Sequence, residues 1–376
     1  MFPPERILMG PGPSDVPPAV LQAQAQPLLG HLDPAFTPVL ERIAEGLRTV
    51  FRTANPVTFA VSATGMAGME AAVVNLVEPG DDVVVGVAGV FGARMAEVAR
   101  RAGATVHTVE APWGRIVDPE AFVAAVQRHR PRMAGLVHAE TSTGVHQPVA
   151  EIGAALADTD TLLVLDTVTS LAGADVRVDD WGVDVAYSAT QKCLSVPPGL
   201  APITFSEQAV QRVRDRATPV QSWYLDLTGL LGYLDAQGGR TYHHTAPISA
   251  LYGLAAGLDL VADEGLDARL ARHQRLGAML HEGLEALGLE LLAQPGHRLP
   301  QLTTVALPDG VDEAALRSRL LAEHGIEVGA GLGDFAGRAW RIGLMGRSCA
   351  EGNVRLLLAA LERLLGEAAA TTGARP

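Results

Sequence analysis

Lys192 is the only lysine in a chain of 376 residues with 29 basic side chains; all the others are arginine. Arginine holds its proton at any physiological pH, whereas lysine can lose it and attack a carbonyl carbon as a free amine. Keeping lysine in "YSATQKCLSV" alone marks Lys192 as a candidate Schiff-base amine; the alternative is a lone survivor of compositional drift. Further residues could serve the same ligand. Asp166 ends the apolar run "TLLVLD", where a carboxylate is costly unless it pairs with a cation such as a protonated ring nitrogen, or caps a helix or turn. In "SATGMAGME", Thr64 and Gly65 join a strand to a helix, and free N–H groups there suit a phosphate or a plain cap. Phe91, in "GVFGAR", suits either stacking on a flat ring or the core. A phosphate, an aromatic ring with a basic nitrogen and an aldehyde awaiting an amine together describe pyridoxal 5′-phosphate.

Such residues need a frame that gathers strand ends. From about residue 57, short apolar runs ("VTFAVSA", "DDVVVGV", "TVHTVEA", "RMAGLVHAE", "TLLVLDT") alternate with amphipathic helical stretches. That alternation predicts an α/β fold, a mostly parallel sheet sandwiched by helices, with ligands at the carboxyl ends of the strands. A second α+β unit is expected from residue 265, through the helical "ARLARHQRLGAMLHEGLEALG", the strands "LTTVALP", "IEVGAG" and "AWRIGLMG", and the helix "EGNVRLLLAALERLLGEA". A net charge of −13 argues against nucleic acid or an anionic membrane as partner. Two cysteines, Cys193 and Cys349, fit a reducing compartment, and "MFPPERILMGPGPS" lacks the basic and apolar regions of a signal peptide, so a cytoplasmic protein is expected.

A co-linear series covers almost the whole chain: "GPGPSDVPP", "SATGMAGMEAA", "NLVEPGD", "HAETSTGV", "LLVLDTVTSLAG", "DVAYSATQKCL", "PPGLAPITFS", "YHHTAPI" and "RIGLMG". By these motifs the chain resembles the class V, fold-type I pyridoxal-phosphate aminotransferases of the alanine–glyoxylate and serine–glyoxylate (serine–pyruvate) group. The resemblance implies that Lys192 forms the internal aldimine and carries the proton between Cα and C4′, and that Asp166 keeps the pyridinium protonated. Thr64, Gly65 and Gln191 would bind the phosphate, Thr141 would lie at the ring's hydroxyl edge, and Val168 would pack one ring face. Arg341 would clamp the substrate carboxylate as a bidentate fork. Tyr242 and Thr245 would reach the phosphate in a neighbouring subunit, so a homodimer with active sites at its interface is implied. Met66 and Phe91 belong to the same cofactor-binding set; they stand where some relatives carry histidine or tryptophan, and they bear on the choice of amino donor. Residues 1–21 are read as an arm on the partner subunit, 22–264 as the large cofactor-binding domain and 265–376 as the small C-terminal domain.

The implied reaction is transamination between a small amino acid, alanine or serine, and glyoxylate or pyruvate, with ping-pong kinetics. Within the fold, a cysteine desulfurase or other lyase is the alternative, and from another class a cofactor-binding scaffold without turnover. A Schiff-base aldolase without cofactor would leave Asp166 and the phosphate cup unexplained. His243 and His244 are adjacent and without a carboxylate cluster, so no metal is expected; Cys193 reads as a core filler, and His138 and Glu140 as positioning residues at a strand end.

Overall fold

The computed structural model describes residues 3–234 and 241–372. Strands run in chain order from β1 (Ile7–Leu8) through β2 (Val57–Val61), β3 (Asp82–Val87), β4 (Thr105–Glu110) and β5 (Met133–Val137). A small hairpin, β6 (Ala139–Glu140) and β7 (Val145–His146), precedes β8 (Leu162–Asp166), β9 (Val185–Tyr187) and β10 (Ala201–Phe205). The seven larger ones form one sheet in the order β2-β10-β9-β8-β5-β3-β4, in which β10 alone is antiparallel to its neighbours. Every residue of β5 and β8 is buried, which is why these strands read as unbroken apolar runs rather than alternating ones.

Helices cover both faces. Val84, Leu136 and Leu165 point to one apolar cluster, shared with α2 (Thr37–Phe51), which follows α1 (Pro18–Gln24). Val83, Val85 and Val164 point to the other, under α3 (Gly65–Leu76) and α4 (Val90–Arg101). The first face also holds α5 (Pro119–His129) and α6 (Ala150–Leu156), and the second α7 (Glu207–Arg214) and α8 (Leu227–Leu234). Helix α5 starts as its sequence predicts: Pro119 follows Asp118, whose carboxylate accepts from the Glu120 N–H at 3.0 Å. Helix α9 (Ile248–Glu264) packs on α1 and α2, and at Gly265 the chain turns into α10 (Leu266–Ala286).

A third apolar cluster gathers residues between Leu276 and Leu364 with Met9. It comprises α10, β11 (Leu302–Ala306), α11 (Glu313–His324), β12 (Ile326–Glu327), β13 (Gly329–Ala330), β14 (Ala339–Gly343) and α12 (Glu351–Thr372). One expectation changes. "IEVGAG" is not one strand: β12 pairs in parallel with β1, while β13 pairs with β14. Residues 7–15 also pack against their own chain. Ile7 and Leu8 join β12, Met9 is fully buried, and the Ser14 Oγ donates to the Lys192 carbonyl at 2.7 Å. Among the described residues no helix is long and apolar enough to cross a membrane.

Candidate active site

The carboxyl ends of β2, β3, β5, β8 and β9 converge on a cavity of about 140 Å³. Its walls include Thr64, Gly65, Met66, Phe91, Thr141, Asp166, Val168, Gln191 and Lys192, so nine of the residues expected from the sequence meet in one place. Met69, Val137, Ala139 and Ala189 complete it. A larger apolar cavity of about 480 Å³ lies between α2, β2 and α8, but neither a nucleophilic amine nor a buried carboxylate faces it.

Lys192 follows β9 on a tightly held loop. The Ser195 N–H donates to the Lys192 carbonyl at 3.0 Å, and Arg269 donates to the Cys193 carbonyl at 2.5 Å. The lysine Nζ donates to the Pro11 carbonyl, and Gly12 lies against it with φ of +110°. A Cβ on Gly12 would come within 2.7 Å of Nζ, so the chain's own first residues roof the lysine and tolerate no side chain there. Burial lowers the amine's pKa to about 8, and the nearby Arg341 pushes the same way. A substantial neutral fraction near neutrality is what a nucleophilic amine needs.

Asp166 is buried at the end of β8, and burial raises its pKa to about 6. Oδ1 accepts from the Val168 N–H at 2.8 Å, and Oδ2 accepts from the Tyr187 hydroxyl at 2.9 Å. Tyr187 is fully buried and sits in register with Asp166 on β9; sequence reasoning misses this residue. A signal exists in "DVAYSA", since a phenol inside an apolar strand calls for a hydrogen-bond partner. In Tyr187→Phe the carboxylate loses one of these two donors, so the Asp166 midpoint should move above 6 by about one unit. Carboxyl carbon NMR titration reads that midpoint; an unmoved value would remove Tyr187 from the site's electrostatics.

The residues fit pyridoxal phosphate. Thr64 is the N-cap of α3 in extended conformation, yet its hydroxyl makes no capping bond, which leaves it and the first N–H groups of α3 for an anion. Oε1 of Gln191 is buried without a partner. Gly65 lets the helix start approach Ala189, where a Cβ would come to 2.8 Å and narrow the cradle. Thr141 Oγ1 lies 2.6 Å from Thr169 Oγ1, and Asp166 offers the buried anion that a protonated ring nitrogen requires.

Arg341, on β14, is half-buried and stands outside the cavity wall, with Nε donating to the Ala330 carbonyl at 2.8 Å. Among the described residues no carboxylate lies within ion-pair distance of its guanidinium. Tyr242 and Thr245 are exposed and line no part of the cavity in their own chain, so this chain does not bring them to the site. His244 Nε2 lies 2.8 Å from Ser62 Oγ, and no group of three metal-ligating side chains occurs among the described residues. Cys193 and Cys349 are buried, and burial pushes their thiols up to about 12 and about 11, which removes the reactive thiolate a desulfurase needs.

Comparison with known proteins places the chain in a family. The family model for aminotransferase class-V matches residues 7–337. The chain is 40% identical to the (S)-ureidoglycine–glyoxylate transaminase of Bacillus subtilis, over 96% of this chain and 91% of that protein. The alanine–glyoxylate aminotransferase of Drosophila melanogaster is 38% identical, with 97% and 93% covered. The solved alanine–glyoxylate aminotransferase from Nostoc sp. superposes with a TM-score of 0.94 at 49% identity, covering 97% of this chain and 96% of that one.

Proposed function

The chain belongs to the class-V aminotransferase family, and from that premise we propose that it moves the amino group of a small amino acid, alanine or serine, onto glyoxylate or pyruvate by ping-pong kinetics. It is an aminotransferase that uses pyridoxal phosphate. The observation that carries the reading is the convergence of Lys192, Asp166 and the open cap at Thr64 on one cavity, with Arg341 close enough to act on Lys192.

When bound, pyridoxal phosphate supplies an aldehyde that condenses with amines and a ring that accepts the electron pair left at the substrate Cα. The protein does the rest. Thr64, Gly65 and Gln191 hold the phosphate end, while Phe91 and Val168 face the ring. Asp166 sets its negative charge against the ring nitrogen and holds that nitrogen protonated. Lys192 Nζ, partly neutral at its pKa of about 8, would be the amine that holds the aldehyde until a substrate amino group displaces it, and once released it would take the Cα proton and return it. Arg341 forks onto the substrate carboxylate through its terminal nitrogens. Pro11 and Gly12 lie directly over the amine, and the Pro11 carbonyl orients it.

A partner subunit completes the site in this reading. Tyr242 is 67% exposed and Trp223 72%, and with Leu28 they form apolar surface that a second copy would cover while bringing Tyr242 and Thr245 to the neighbouring phosphate. The domain division at residue 265 is part of the same reading, supported by the separate apolar cluster between Leu276 and Leu364.

The test is a panel of alanine, serine and (S)-ureidoglycine against glyoxylate and pyruvate, with initial velocities at several fixed acceptor concentrations. (S)-Ureidoglycine is included because the 40%-identical relative bears its name. Parallel double-reciprocal lines and glycine formation from glyoxylate are expected. Intersecting lines would sink the ping-pong mechanism, and no cofactor conversion by any donor would leave a scaffold.

A further inference from the structure

The N-terminus of α4 is capped by residues from another part of the chain. Its N-cap is Gly89, which has no side chain to offer, and the helix carries no acidic residue in its first turn. The first three N–H groups are nonetheless satisfied. Val90 N–H donates to Ser142 Oγ at 3.0 Å; Phe91 N–H and Gly92 N–H donate to Glu140 Oε2 at 3.1 and 3.2 Å. The second carboxylate oxygen, Oε1, accepts from the Ser142 N–H at 3.1 Å and from the Ser142 hydroxyl at 2.5 Å. Glu140 is 1% exposed; burial raises its pKa, while the Ser142, Gly92 and Phe91 donors favour the carboxylate form. Its carboxyl sits at the positive end of the helix dipole. Glycine at position 89 is required by the same contact: a Cβ there would lie 2.7 Å from both Cγ and Cδ of Glu140.

Phe91 is the second residue of this helix and forms part of the cavity wall. The Arg94 guanidinium lies over the Phe91 ring, 5.1 Å from its centre, one turn along. The direction in which Phe91 faces the cavity is therefore set by where the first turn of α4 is pinned.

We propose that Glu140, assisted by Ser142, is a positioning residue that fixes the first turn of α4 and thereby holds Phe91 against the cofactor ring. The proposal rests on the cofactor reading above. Glutamine at this position would keep the shape but set an amide NH₂ against backbone donors, so one of the two acceptor sites is lost.

The test compares holoenzymes of wild type, Glu140→Gln, Phe91→Ala and the double variant by equilibrium dialysis of pyridoxal phosphate, with amide hydrogen exchange over residues 89–93. Glu140→Gln should weaken cofactor retention about tenfold and accelerate exchange at 90–92 while β5 and β8 stay protected. The double variant should bind no more weakly than Phe91→Ala alone, because the capping acts through that ring. Multiplying effects in the double variant, or wild-type retention in Glu140→Gln, would overturn the proposal. If Glu140→Gln does not fold, Ser142→Ala, which removes the Val90 acceptor and one Glu140 donor, is read by the same criteria. A wild-type protein that fails to retain pyridoxal phosphate sinks the functional reading itself, whereas retention with additive variants sinks only the role of Glu140.

Discussion

Lys192→Ala should fold, retain cofactor through the phosphate cup and Asp166, and turn over at least about 10⁴-fold more slowly than wild type. The substitution removes both the attacking amine and the group that moves the Cα proton, and no second lysine exists in the chain to take over. Lys192→Arg is the informative companion. It keeps the positive charge but supplies no amine able to condense, so it should be as inactive as alanine. Turnover above about one per cent of wild type in either variant, without added amines, would show that the lysine is not the nucleophile. The same residue gives a stability signature in the cofactor-free protein. Its pKa is about 8 when folded, against 10.5 for an ordinary lysine, so between those values the unfolded chain binds the proton that the folded chain has released. Stability therefore rises with pH across that window, and below about 8 the cost of burying the ammonium is fully present. Denaturant titrations from pH 7.5 to 10.5 should show this rise in wild type, and Lys192→Ala should lose the part of it that Lys192 contributes.

Asp166→Asn should lower kcat by about 10³-fold, the scale of removing one preorganised electrostatic partner from a dry site. Asparagine preserves the contacts to Val168 and Tyr187 in size but no longer holds an anion against the ring nitrogen, and an unprotonated ring is a poor acceptor for the Cα electron pair. A pH test separates this from a packing defect. The carboxyl has a pKa of about 6, and a cationic ring nitrogen favours its ionised form, so cofactor binding releases a proton from Asp166 below that pH. Affinity of the wild type should fall as pH drops through 6, whereas Asp166→Asn should lack that dependence. Dissociation constants measured between pH 5 and 8 decide it, and an asparagine variant within threefold of wild-type kcat would remove Asp166 from the chemistry.

The parts of this site legible in the sequence are those whose cause is local. Asp166 and Lys192 stand where apolar strands end, and Thr64–Gly65 where a strand turns into a helix; a chain read in windows of ten residues shows all three. The contacts that escape such a reading join distant stretches. Nothing near Tyr187 announces that its phenol meets Asp166, because that pairing is set by the register of β9 on β8. The division of "IEVGAG" into two strands depends on the competing partners β1 and β14, one of them more than three hundred residues away. Glu140 carries the same lesson: its neighbours in sequence suggest a strand end, while its function in the fold is the cap of α4, about fifty residues earlier.

The roof over Lys192 also orders events during synthesis. Ser14 bonds to the Lys192 carbonyl, the Asp15 N–H donates to Ser348 Oγ at 3.0 Å, and Gly343 N–H donates to the Met9 carbonyl at 2.7 Å. Met9 and Asp15 leave the ribosome more than three hundred residues before the partners that hold them. The parallel sheet can assemble once β10 has emerged, but the amine acquires its cover only after the segment around Ser348 has joined. Until then the nucleophile stands uncovered, although the sheet that carries it is already in place.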